Sequence, residues 1–292
     1  MSDSLASLRH KIATAKELKS VVRTMKTMAA SSIHQYENAV LSLDDYYRTL
    51  QLGLSACFRE EINGDVSRIK PTSTKGTGAI VFGSDQGLVG QFNDVIVEYT
   101  LAALENLPGN KIIWAVGERI QTRLEDYPSL HIETMILPNS INAITPRVGQ
   151  LLIALEAQLE KGTIDQVYLF HNHPQDREIY TPVSQKLLPL DKSWKTDLAA
   201  IPWPTRLPPE VINNRESTLR SLVQEYLFVT LFRAFAESLA SENASRLAAM
   251  QRAEKNIDEL HENLNRVFYR LRQSGIDEEL FDVISGFEAL GN

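Results

Sequence analysis

The sequence predicts an α+α/β protein: a long antiparallel coiled coil of N- and C-terminal helices with an α/β domain inserted between them. Three observations carry this. All 12 prolines lie between Pro71 and Pro209, no glycine precedes Gly53, and neither residue interrupts positions 210–274. Glycine and proline cost about 1 and 3 kcal/mol relative to alanine in an exposed helix interior, so both ends are free to be helical over long distances. Apolar residues at both ends recur at steps of three and four, the spacing of a coiled-coil seam. The middle alternates short apolar runs with helical patterns. The expected segments are 1–60 for the first helix, 75–205 for the α/β domain and 210–292 for the second helix.

The N-terminal seam reads Leu5, Leu8, Ile12, Ala15, Lys19, Val22, Met25, Ala29, Ser32, Tyr36, Ala39, Leu43, Tyr46, Leu50, Gly53, Cys57. Lys19 and Ser32 interrupt it, and alanines around Ala29 thin it, which lets a partner helix approach closely. Ser4 is positioned to cap the start; Ser7 stands where a capping box needs Glu or Gln. About 55 residues in one helix would span roughly 80 Å. A helix of that length cannot bury its own apolar stripe and needs a partner of similar length. The C-terminal segment offers Leu219, Leu222, Tyr226, Val229, Phe232 and Phe235, then Leu247, Met250, Ile257, Leu260, Leu264, Val267 and Leu271. Between these runs lies a smaller, more polar stretch, Leu239-Ala-Ser-Glu-Asn-Ala-Ser. Gly275 is expected to relax or bend the helix before a last apolar stretch of Leu280, Val283, Ile284, Phe287 and Leu290. Ordinary amphipathic helices folded on the central domain would show similar stripes, but globular helices rarely exceed about 25 residues.

In the middle, a polar linker over 63–78 leads to a buried strand at 79–82 and a glycine-bearing loop at 83–90. Helix 93–107, strand 111–116, helix 118–126, strand 132–137, helix 146–160 and strand 166–170 follow, with a hairpin-like edge over 179–190. Strand–helix alternation at this spacing implies a mostly parallel, Rossmann-like sheet. Prolines 202, 204, 208 and 209 mark the exit into the last helix.

Composition sets further bounds. The 292 residues are 43% hydrophobic and 23% charged, with net charge −7, so general nucleic-acid affinity is not expected. The first 33 residues are nonetheless basic: Arg9, Lys11, Lys16, Lys19, Arg23 and Lys26 stand against Asp3 and Glu17. Such a helix suits nucleic acid, lipid headgroups or an acidic protein surface, or is simply a solvated face. No apolar run approaches a membrane span and no signal segment is evident, so an intracellular protein is expected. Lone Cys57 fits a reducing compartment.

Catalytic signatures are weak. The loop from Gly83 to Gly90 follows a strand, where glycines can cradle phosphate, but its spacing is neither G-x-G-x-x-G nor a P-loop. An α/β nucleotide-binding enzyme with a coiled-coil dimerisation arm is the alternative reading that this loop keeps open. His171 and His173 alternate around Asn172 near a strand end. A metal would need a third ligand; Asp176 and Glu178 are near, but Pro174 makes the fragment look like a loop. The expectation is no catalytic residue, no cofactor and no metal.

Three segments carry a family resemblance. Thr24-Met25-Lys26-Thr27-Met28-Ala29-Ala30-Ser31 looks like A-M-K-M-V-A-A-S. Gly83-Ser84-Asp85-Gln86-Gly87-Leu88-Val89-Gly90-Gln91-Phe92-Asn93 is similar to S-D-x-G-L-C-G-x-F-N. Ser241-Glu242-Asn243-Ala244-Ser245-Arg246-Leu247-Ala248-Ala249-Met250 matches S-E-x-A-x-R-M-x-A-M, and Arg272-Gln273-Ser274-Gly275-Ile276-Asp277-Glu278-Glu279 follows R-Q-A-x-I-T-x-E. In order and at this spacing, they make the chain resemble the gamma subunit of rotary F-type ATP synthases over nearly its whole length. The departures are Val89 for the family's Cys, Asp277 for its Thr, Phe268-Tyr269 for Tyr-Asn, and Ser32 for a Lys. They point to a divergent branch, the alternative bacterial type associated with sodium translocation, and bear on the detailed contacts with the catalytic head.

The resemblance implies a non-catalytic shaft that couples ion translocation to ATP synthesis or hydrolysis. Its partners would be the alpha and beta subunits of the head, the epsilon subunit and the c-ring. The chain would sit at the cytoplasmic face of the cell membrane, held there only through the complex and without nucleic acid. By family position Met25, Lys26, Arg246, Gln273, Asp277, Ile284 and Phe287 become candidate subunit contacts. Seam packing or plain solvation is the simpler role for each, and Met25 lies on the seam itself.

Overall fold

The computed structural model describes residues 4–62, 75–175, 179–190, 192–207, 209 and 214–290. Residues 63–74 of the expected linker, Asp176, Glu178 and Pro208 lie outside them, as do the side chains of Phe287 and Leu290. The chain opens with α1, Leu5–Ile62, a single helix of 58 residues, and closes with α6, Arg215–Leu290, of 76 residues. Ser4 caps α1: its hydroxyl accepts the Ser7 N–H at 3.2 Å. α6 continues as helix through Gly275. A glycine removes a side chain but keeps its backbone hydrogen bond, so a helix established on both sides propagates across it.

By internal contacts the chain divides into two compact units, Met1–Ala30 with Arg246–Asn292, and Ser31–Ser245. The larger unit holds β1 (Gly76–Phe82), α2 (Phe92–Glu105), β2 (Asn110–Val116), α3 (Glu118–Leu124), β3 (His131–Met135), α4 (Ile144–Glu160), β4 (Gln166–Pro174), β5 (Tyr180–Leu188) and α5 (Lys192–Ala200). The sheet order is β3-β2-β1-β4-β5. The first four strands are parallel, and β5 closes the edge antiparallel to β4. The expected Rossmann-like alternation is therefore present, with one antiparallel edge.

Strand alternation sorts the core into two layers. Ile80, Phe82, Trp114 and Val116 face Val148 and Leu151 of α4 and Leu231 and Phe235 of α6. Their neighbours Ala79, Val81, Ile113 and Ala115 face Ile96 and Val97 of α2 and Ile120 and Leu124 of α3. Helices thus cover both faces, which is why β1 is buried at every position. β1 starts earlier than expected because Gly76 and Gly78 belong to it rather than to a linker. A Cβ at Gly76 would lie 2.3 Å from the Thr163 carbonyl oxygen, and one at Gly78 2.9 Å from the Trp114 ring. These glycines read as linker in the sequence but are required by close approach.

Also in this unit, α1 and α6 run antiparallel. Asp44 meets Arg233, Tyr46 meets Glu225, Tyr47 meets Tyr226 and Gly53 meets Leu222. The seam read from sequence drifts here. Tyr46 is exposed, while Leu54 and Phe58, off the seam, are buried. A straight α-helix slips against a 3.5-residue repeat, and α5, which the sequence reading omitted, covers the drifted face. Its Trp194 ring lies 4.8 Å from that of Tyr226 and 5.9 Å from that of Phe58.

The smaller unit is a second antiparallel stretch of the same two helices. Among the described residues, Leu8, Ala15, Ala29 and Met250 are its buried ones. Arg9 sits over the Phe268 ring, 5.5 Å from its centroid. Lys19 is paired with Asp258, and Arg23 and Lys26 both reach Glu254, at 2.7 and 2.6 Å. The basic N-terminal helix therefore spends much of its charge on its helical partner.

Candidate functional site

All seven candidate contact residues fall in the smaller unit. Met25 and Lys26 are half-buried on α1; Lys26 is held by Glu254. Arg246 is half-buried on α6, Gln273 and Asp277 are exposed, and Ile284 is 46% exposed. Phe287 is within α6, but its side chain lies outside the described residues. The seven do not converge on one point. They are spread along the two helices, as contacts of a long surface would be.

The end of this surface is apolar. Arg9 faces Phe268, and α1 begins one turn before Arg9, so α6 continues past the start of α1. Beyond that point Ile276, Leu280, Phe281, Val283 and Ile284 are all exposed, Phe281 by 68% and Val283 by 66%. Contiguous exposed apolar residues on a soluble helix mark a surface made for a partner.

Charge along the paired stretch is organised. The Glu254 carboxyl is held down at about 2 by hydrogen bonds from Arg23 and Lys26. It lies between two cations that reach it from consecutive turns of the opposite helix, so it stays ionised through the ordinary pH range.

In the larger unit, the loop after β1 has its polar groups turned to structural use. The Ser84 N–H donates to Asn93 Oδ1 at 3.0 Å, and Asn93 Nδ2 donates to the Ser84 hydroxyl at 2.8 Å. Asp85 accepts the Glu118 N–H at 2.9 Å. A Cβ at Gly83 would meet Ile120 at 2.4 Å. Gly83 is thus explained by packing, and the loop is knotted to the starts of α2 and α3 rather than open around an anion. The polar C-terminal stretch docks on the same place. The Ser241 hydroxyl donates to the Asn172 carbonyl, Asn172 Nδ2 to the Phe92 carbonyl, and the Ser245 hydroxyl to the Val89 carbonyl. Two of the three sequence segments that carry the resemblance therefore meet each other.

The histidines behave differently from the expectation. β4 extends through Pro174, so His171 and His173 lie on a strand and not in a loop. Their i, i+2 spacing sends both rings to one side, where they meet Glu237 of α6. His171 Nε2 is 2.8 Å and His173 Nδ1 2.9 Å from the same oxygen, Glu237 Oε2. The other oxygen, Oε1, accepts from Arg233 Nε at 2.8 Å, and Arg233 also reaches Asp44 at 3.2 Å. Burial pushes the Glu237 carboxyl up, but hydrogen bonds from His171, Arg233 and His173 outweigh it and set it at about 2. Sequence reading missed Glu237 because its partners are more than sixty residues away. The Arg233–Glu237 spacing of four on a helix was the only local signal.

Comparison with known proteins decides the family. A profile described as ATP synthase matches residues 4–290. The chain belongs to the ATP synthase gamma-chain family. It is 29% identical to the ATP synthase gamma chain of Granulibacter bethesdensis, covering 98% of this chain and 99% of that one. The gamma chain of Clostridium botulinum strain Loch Maree is 31% identical over 72% of this chain and 71% of its own. Among solved structures, the Euglena gracilis mitochondrial ATP synthase rotor has a chain with TM-score 0.66 at 14% identity, covering 93% of this chain and 98% of its own. A chain of the Tetrahymena thermophila mitochondrial central stalk and c-ring structure has TM-score 0.57 at 24% identity, over 80% and 99%. At these identities the structures show a shared fold.

Proposed function

We propose that this chain is the central rotor shaft of an F-type ATP synthase. It couples ion translocation through the membrane ring to ATP synthesis or hydrolysis at the alpha/beta catalytic sites. The observation that carries this is the full-length family match laid on two long antiparallel helices that end in an exposed apolar tip. Catalysis belongs to the partner subunits; this chain transmits torque. The helix pair supplies stiffness. The tip supplies an apolar, non-interlocking surface that can slide within a sleeve, with Ile284 and Phe287 on it. Met25, Lys26, Arg246, Gln273 and Asp277 are proposed to meet alpha and beta subunits along the shaft. The epsilon subunit and c-ring are the proposed partners of the larger unit. The chain would be peripheral at the cytoplasmic face of the membrane, attached through the complex; no helix among the described residues is long and apolar enough to cross a bilayer.

The test is copurification. A tagged chain, expressed in its own cells, is expected to bring down a head with one copy of this chain per three catalytic subunits, together with epsilon and the c-ring. Recovery of the chain alone, or as a homodimer, would overturn the proposal. The enzyme alternative is tested by titrating the purified chain with nucleotides. The internal use of Ser84, Asp85 and Asn93 leads us to expect no binding.

A further inference from the structure

We infer that His171, His173 and Glu237 form a binding site for one zinc-class divalent metal ion, which ties the end of β4 to the first third of α6. The site lies wholly within the larger unit and is independent of the proposed shaft function.

The geometry carries the inference. The three ligand atoms lie within 4.8 Å of one another. Two come from one face of a strand and one from a helix interior, so the backbone fixes their positions without a flexible loop. Both imidazole nitrogens already point at a single carboxylate oxygen, at 2.8 and 2.9 Å. Zinc takes nitrogen and oxygen ligands at 2.0–2.2 Å in a tetrahedron, which places ligand atoms about 3.3 Å apart. Lengthening the two nitrogen–oxygen distances by about half an ångström brings them to that spacing.

The surroundings fit. Glu237 is 6% and His171 5% exposed, so competition from water is small at those two ligands. The His173 side chain is 45% exposed and gives an entry path and an open fourth position. Arg233 holds Glu237 Oε1 and leaves Oε2 to the metal, while Asp44 offsets the charge of Arg233. Such outer partners orient a ligating carboxylate. When Nε2 of His171 is a ligand, Nδ1 carries the proton. That atom is buried without a hydrogen-bond partner among the described residues. Lacking the usual carboxylate behind it, the site should bind zinc at micromolar rather than nanomolar concentrations. Two imidazoles and one carboxylate favour zinc and its neighbours over magnesium and calcium, which prefer all-oxygen shells.

The experiment uses the full chain, freed of metal with a chelator. Zinc is titrated against a chromophoric competitor of micromolar affinity, and cobalt(II) is added separately to read its visible ligand-field bands. One equivalent of zinc is expected, with cobalt absorption of a four- or five-coordinate site and no uptake of magnesium or calcium. His173→Gln changes a half-exposed side chain and is expected to keep the fold by circular dichroism while weakening zinc at least tenfold. Glu237→Gln is the second variant, expected to do the same. His131→Gln, at an exposed position of β3, should bind as the parent does. Zinc should also raise the Tm of the parent by a few degrees and leave His173→Gln unmoved. Absence of zinc binding in the parent, or equal binding by parent and His173→Gln, would overturn the inference.

Discussion

The two units of this chain use the same pair of helices in different ways. In the larger unit α1 and α6 are packed against further layers. Phe82 and Phe235 are fully buried with ring centroids 4.6 Å apart, and the buried Ser241 hydroxyl and Asn172 amide each find a defined carbonyl. In the smaller unit, among the described residues, the helices have only each other. Their buried residues are few and often small, such as Ala15 and Ala29, and cations on one helix meet carboxylates on the other. A body held by a dry core is stiff and specific. A pair held by a thin seam and exposed charges presents most of its surface to whatever surrounds it. The contrast suits a chain that must be gripped at one place and slide at another.

Stability should break this contrast most sharply. Phe235→Ala is expected to destabilise the larger unit by about 3–5 kcal/mol, because it removes an aromatic side chain from a site with little freedom to collapse. Chemical denaturation followed by far-ultraviolet circular dichroism measures this. Ala15→Gly, in the thin seam, should cost only about 1 kcal/mol. Equal losses would mean that the seam is as tightly built as the core.

Function should reverse the ranking. Met25→Lys puts a new charge on a half-buried position of the smaller unit beside the Lys26–Glu254 pair. It is expected to uncouple rotation from catalysis, since a fixed charge can hold the shaft in one orientation. Ion transport and ATP turnover assayed together in reconstituted vesicles should separate; unchanged coupling would count against Met25 as a contact. A milder effect is expected from Arg246→Ala combined with Gln273→Ala: turnover falls several-fold while the complex still assembles. Full activity in that double variant would remove both residues from the mechanism.

What the sequence showed follows from where its signals lie. Long helices were legible because glycine and proline are absent from both ends, a local property. The parallel sheet was legible because runs such as Ile112-Ile113-Trp114 are apolar on both faces. β4 was cut short at Phe170 because His171, Asn172 and His173 are polar, yet Asn172 is fully buried through its bond to the Phe92 carbonyl. A polar residue in a buried strand is identified only by its partner, and that partner is distant. The same holds for Glu237, whose two histidines come from another element. α5 was hidden because it is short and lies among prolines. Ser241 and Ser245 were visible as small and polar, but their purpose is the close approach of α6 to β4 and to the loop at Val89.

The smallest effect expected concerns acid. Glu254 sits at about 2 against an ordinary value of 4.5, so it binds protons less readily folded than unfolded. Its contribution is complete above about pH 4.5 and disappears as the pH falls through 2. Because the Arg23 side chain is 62% exposed, salt should weaken its pairing with Glu254 further. Hydrogen exchange of the amides around Arg23 and Lys26 should therefore accelerate between pH 4.5 and 2, after correction for intrinsic rates. The acceleration should be steeper than in Glu254→Gln, which has no proton to gain. If parent and variant follow the same acid curve, the pairing of Arg23 and Lys26 with Glu254 contributes nothing to holding the helices together. More of the holding would then fall to the thin apolar seam, which would bring the smaller unit closer in kind to the larger one.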